Sequence, residues 1–168
     1  MLKSWHAALV GILALTIGVA HAQAPTNCAN FKWDITRERG WILASTGALK
    51  SGDSFALAPK GFKVALAPDA QLHFAAPPER APLPGRFGAI LTLQGLPKPG
   101  VYQIALANEA WIDIVENGKS LKSIDFSGQK NCPGVRKSVR FKLTDTHVIL
   151  QISNAPHANT RIAVAAKP

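Results

Sequence analysis

Large apolar residues alternate with small or polar ones along much of the chain. In residues 101–106, Tyr102, Ile104 and Leu106 alternate with smaller side chains, and the same period of two recurs in 111–115, 139–143, 148–152 and 162–164. Successive strand side chains point to opposite faces, so each run predicts a strand with one face buried. Residues 87–93 add a further apolar run, and Leu96-Pro97-Lys98-Pro99-Gly100 predicts a turn between it and 101–106. Asn117-Gly118 has the residues of a type I′ hairpin turn, and predicts that 111–116 folds back against 119–126.

Upstream, Phe55-Ala56-Leu57-Ala58-Pro59, Val64-Ala65-Leu66-Ala67-Pro68 and His73-Phe74-Ala75-Ala76-Pro77 recur at nine-residue spacing. Proline offers no backbone donor, so each predicted strand stops there or lies at a sheet edge. Three short units are too few for a solenoid. Residues 77–85 carry four prolines and predict an exposed loop. The one helical candidate is 34–43, with Asp34 or Thr36 as a cap, Ile35, Ile42 and Leu43 on one face, and Gly40 weakening it to a turn or two. The runs predict roughly eight to ten strands, and faces apolar on one side need a second sheet to cover them. The expected fold is therefore an all-β sandwich with a short N-terminal helical turn.

Composition places this fold. Apolar residues are 47% of the 168 and charged residues 17%, which is a foldable balance. Residues 1–22 read as an export signal: Lys3 in a basic start, an apolar stretch from Ala7 to Ala20, and Ala20-His21-Ala22 as the cleavage site. The apolar stretch is short of the roughly 20 residues that span a bilayer, so cleavage before Gln23 leaves 23–168 as a single domain without a transmembrane segment. Loss of Lys3 would take the net charge from +9 to +8. The two cysteines, Cys28 and Cys132, stand 104 positions apart; in an exported chain this even count predicts a disulfide, with free thiols or a metal pair as the alternatives. Periplasm or exterior is the expected location.

Cys28-x-x-Phe31-x-Trp33-Asp34, Pro99-Gly100-x-Tyr102, Trp111-Ile112-Asp113, Asp125-Phe126-x-Gly128-Gln129 and Cys132 together resemble a set of uncharacterised exported proteins of proteobacteria. More loosely, the Pro-Gly-x-Tyr strand and the C-terminal strands are similar to β-sandwich accessory domains of secreted peptidases and glycosidases. Neither resemblance implies catalytic residues, and a shared fold alone does not establish an activity.

The residues themselves show no Gly-x-Ser-x-Gly elbow, no Walker loop and no His-Glu-x-x-His, and His73, His147 and His157 stand far apart. No cofactor or metal is therefore expected. Trp111 and Asp113 have two readings: a stacking platform and hydroxyl acceptor for a sugar, or an indole filling the gap between sheets. Arg136, Ser138, Arg140 and Lys142 occupy alternate positions of one strand and share a face, beside His147 and Gln151 if 144–146 is a hairpin turn. Such a row suits an anionic glycan, a lipid headgroup or an acidic protein, or is an ordinary solvated face. Nucleic acid is disfavoured by the compartment and by the absence of interleaved aromatics. The expected function is a non-catalytic binding or interaction module; an envelope protein serving structure or stress resistance, or an unidentified enzyme, are the alternatives.

Overall fold

A computed structural model describes residues 26–167; the predicted export signal and cleavage site lie outside them. Among the described residues there are twelve strands: β1 (Gly47–Lys50), β2 (Ser54–Ala56), β3 (Gly61–Ala65), β4 (Ala67–Pro68), β5 (Phe87–Gln94), β6 (Gly100–Leu106), β7 (Trp111–Glu116), β8 (Lys119–Leu121), β9 (Asp125–Gly128), β10 (Lys137–Leu143), β11 (His147–Ala155) and β12 (Asn159–Lys167). They form two sheets. The first has the order β1-β3-β12-β6-β10-β9 and the second β2-β5-β11-β7-β8, with β4 beside β5. Only β1 with β3 and β2 with β5 pair in parallel; every other pairing is antiparallel. The protein is an all-β sandwich.

The period-two runs produce its core. Tyr102, Ile104 and Leu106 of β6 lie beside Phe141 and Val139 of β10 and Val164 and Ile162 of β12, all buried on the inner face of the first sheet. Leu91 and Leu93 of β5, Leu150 and Ile152 of β11, and Ile112 and Ile114 of β7 face them from the second sheet in the same cluster. The predicted type I′ turn is present, with Asn117 and Gly118 both at positive φ (51° and 72°), the left-handed region that Asn and Gly tolerate best.

In the strands and turns, the structure departs from what the sequence predicts at three places. The return strand of the hairpin ends at Leu121, and Phe126 belongs to β9, an edge strand of the other sheet. Residues 73–77 form no strand: the backbone N–H groups of Ala75 and Ala76 donate to the Gln151 side chain, at 2.6 and 3.3 Å, rather than to a neighbouring strand. Finally, 144–146 is not a hairpin turn within a sheet. It carries the chain from β10 in the first sheet to β11 in the second, and the buried Glu116 carboxylate stabilises it by accepting from Thr144 N, Thr144 Oγ1 and Asp145 N. His147 and Gln151 therefore do not lie beside the row on β10.

Both outer faces are partly covered. A 3₁₀ turn (Thr26–Asn30) and the helix α1 (Thr36–Leu43) form an arm over the first sheet. The helix cap is Ile35, which has no side-chain cap hydrogen bond, rather than Asp34 or Thr36, although Asp34 Oδ1 accepts from Thr36 N just ahead of it; Ile35 and Ile42 are buried, whereas Leu43, expected on the same face, is exposed. Ile42 packs with Ala105 and Ala163 of the outer face, and a side chain at Gly61 would collide with the helix backbone at Trp41. The Cys28–Cys132 disulfide ties the arm to the segment before β10. Across the second sheet runs the proline-rich segment 72–86, held by Gln151, Asp113 and Asn154.

Candidate functional site

The fold disperses the predicted site residues. Ser138, Arg140 and Lys142 do share the outer face of β10, but the arm lies over the first two. Trp33 Nε1 donates to Ser138 Oγ at 3.0 Å, and the Arg140 guanidinium sits 4.1 Å from the Trp33 ring centre while Arg140 Nε donates to Gln103 Oε1 at 3.0 Å. Lys142 alone of the row is exposed. Arg136 precedes the strand and turns toward the end of the sandwich, within 3.7 Å of Glu109.

Trp111 lies at that same end. It is half-buried on the outer face of β7, with Lys137 Nζ 4.3 Å from its ring centre and the Arg80 guanidinium at 5.9 Å. A cation held this close takes up indole surface that stacking would need. Asp113, two residues on, is buried under the 72–86 segment and accepts from Glu79 N at 3.3 Å. It supports the segment that carries Arg80.

Around Trp111 opens a cleft of about 390 Å³. Arg80, Leu83 and Arg86 wall it from the proline-rich segment, Glu109 and Ala110 from the connection before β7, Phe126 from β9, Arg136 from just before β10, and Lys137 from its first position. Asn154 closes the remaining side: Oδ1 accepts from Leu83 N, and Nδ2 donates to Arg80 O and Ala81 O, so one side chain shapes the turn that holds Arg80. Asn154 itself has positive φ (60°), at the irregularity where β11 shifts register between Ile152 and Ala155. Four cations thus surround a space of ligand size with one carboxylate, Glu109, among its walls. Phe126, 61% exposed, is the accessible aromatic ring beside them.

Burial sets the electrostatics. Asp113 is held above the ordinary carboxylate range chiefly by burial, reinforced by the Glu79 charge and opposed by the Glu79 N–H, the Trp111 indole and Lys137. Lys137 is held below the ordinary lysine range, first by burial and then by neighbouring Arg136, against the pull of Asp113, Glu109 and Glu79. For Asp113 the folded state binds its proton more tightly than the unfolded state does. The protonated form therefore carries the favourable contribution, present below the unfolded value of 3.8 and lost as pH rises through the raised folded value. Asp113→Asn keeps the acceptor for Glu79 N and removes the buried charge. We expect the variant to be more stable than the parent at pH 7.5 in urea unfolding, with the difference shrinking toward pH 4; a constant difference across that range would refute the linkage.

Of the residues singled out from the sequence, Arg136 and Trp111 line this cleft, whereas Asp113 lies beneath the 72–86 segment and Arg140 and Lys142 stand elsewhere; Arg80, Arg86, Lys137 and Phe126 were not singled out. The readable signal was a loop bounded by arginines, since binding residues concentrate on loops that a rigid scaffold positions. What the cleft can do is attract and hold an anion: three guanidinium groups offer planar paired donors and the indole and phenyl rings an apolar wall. Among the described residues no group of three or more His, Cys, Asp or Glu side chains is placed to hold a metal ion, and His73, His147 and His157 are all exposed. In comparisons with known proteins the chain matches no protein-family model and no curated protein at a significant level.

Proposed function

We propose that the protein is an exported, non-catalytic binding module that takes an anionic glycan into the cleft around Trp111. The observation that carries this reading is the gathering of Arg80, Arg86, Arg136 and Lys137 around one cavity of about 390 Å³ whose walls include a single carboxylate, Glu109. A net charge of +9 over the full sequence adds long-range attraction for such a ligand. The Cys28–Cys132 disulfide fits an oxidising compartment, and with the export signal it supports the periplasm or the exterior as the site of action. Arg140 belongs to the packing of the arm in this reading, and the binding role passes from the β10 row to the cleft.

The test compares two variants. Arg80→Ala/Arg86→Ala/Arg136→Ala should bind trigalacturonate more than about 30-fold more weakly than the parent at 50 mM salt, since charge-assisted hydrogen bonds contribute about 1.5–3 kcal/mol each. Arg140→Ala should bind it normally yet lose about 1–3 kcal/mol of stability, from its contacts with Trp33 and Gln103. Binding by the parent should also weaken steeply with salt, because the screening length falls to about 8 Å at physiological ionic strength. Anionic vesicles or acidic peptides bound in place of every saccharide would assign the cleft to a different partner. No binding to any of these would leave the structural envelope role.

A further inference from the structure

The cleft has a side recess of different chemistry. It measures about 60 Å³ and shares Trp111, Phe126 and Lys137 with the main cavity. Its other walls are the buried Ile112 and Val139, the hydroxyl residue Ser123, and Glu79. At about a sixth of the volume of the main cavity, the recess suits a substituent of a few heavy atoms rather than a further sugar ring.

The walls define that substituent. A second anionic group is disfavoured by the Glu79 carboxylate and by the apolar walls of Ile112 and Val139, and Lys137, the one cation of the recess, is already held by Ala110 O and the Trp111 ring. A wholly apolar group would leave the Ser123 hydroxyl and the polar edge at Glu79 unused, while Lys137 Nζ already donates to Ala110 O at 3.3 Å. A neutral group with a methyl end, one donor and one acceptor meets every wall: the methyl against Ile112 and Val139, an N–H to Glu79, and a carbonyl to Ser123 or Lys137. That group is an acetamide. We infer that the ligand of this cleft is an anionic saccharide that also carries an N-acetylamino group, its anion held among Arg80, Arg86 and Arg136 and its acetamide seated in the recess between Glu79, Ser123 and Ile112. This rests on the glycan reading above and narrows it to a class.

Selectivity among saccharides tests it on the unaltered protein. Calorimetric titration at 50 mM salt would compare a hyaluronan tetrasaccharide, in which uronate and N-acetylglucosamine alternate, and N-acetylmuramic acid, with trigalacturonate, which has carboxylates and no acetamide. At least one of the N-acetylated probes should bind tenfold or more tightly than trigalacturonate. Ser123→Phe, which fills the recess from a half-buried loop position, should erase that preference while changing trigalacturonate affinity by less than twofold. Glu79→Gln removes the repulsion from an exposed side chain and should improve trigalacturonate binding about threefold. A preference below tenfold, or trigalacturonate as the tighter ligand, overturns the acetamide assignment and leaves the anionic-glycan reading standing. Failure of all three saccharides to bind overturns both.

Discussion

Replacing Cys132 with serine is expected to remove about 4–5 kcal/mol of stability and to lower the melting temperature by about 10–18 °C. The disulfide closes a loop with a sequence separation of 104, and the entropy that such a cross-link removes from the unfolded chain grows with the logarithm of loop length. The loss reaches beyond the bond. Cys132 is buried with Phe31, Ile35 and Val135 in the cluster beneath the arm, so freeing it loosens the cover over the first sheet. Trp33 would lose its contacts with Ser138 and Arg140, and its fluorescence should shift to the red before the sandwich unfolds. Reduction of the unaltered protein should reproduce both effects. A serine variant within 1 kcal/mol of the parent, or a parent that titrates two free thiols when folded, would refute the assignment.

That cover also marks the limit of what the sequence discloses. Period two correctly put Ser138, Arg140 and Lys142 on one face, because alternation is a property of the strand alone. Nothing in a local pattern says which distant segment lies on that face, and the arm is brought there by a bond between residues 28 and 132. The long runs in β5, β6, β7, β10, β11 and β12 were legible because they bury one side over six to nine residues. β1, with four residues, and β8 and β9, with three and four, are too short to display a period, and the exchange between sheets at 122–124 is invisible for the same reason. The cleft was legible only in fragments. Arg80 and Arg86 meet Arg136 through tertiary placement, by a segment that is tied to the second sheet largely through side chains, Gln151, Asp113 and Asn154. Such bonding leaves no periodic trace.

Gln151→Leu is expected to loosen that segment and weaken the cleft with it. Gln151 is fully buried on β11, where Oε1 accepts from Ala75 N at 2.6 Å and Ala76 N at 3.3 Å while Nε2 donates to Ala76 O at 3.0 Å. Leucine matches the volume and offers none of these groups, so three backbone groups lose their partners. An unsatisfied buried polar group costs about 1–3 kcal/mol, and Ala75, being exposed, can turn to water, which leaves a net loss of about 3 kcal/mol. The remaining ties to the second sheet, Asp113 with Glu79 N and Asn154 with Leu83 N, lie on the far side of Ala76. They should keep the sandwich folded while residues 72–78 come free, so proteolysis would nick there first, ahead of global unfolding. Arg80 and Arg86 then lose part of their fixed placement, and trigalacturonate affinity should fall about tenfold as the segment must be ordered on binding. Equal protease resistance in parent and variant would show that the segment is held by its own proline-rich backbone, and unchanged affinity together with a nicked segment would show that the anion is bound by Arg136 and Lys137 alone.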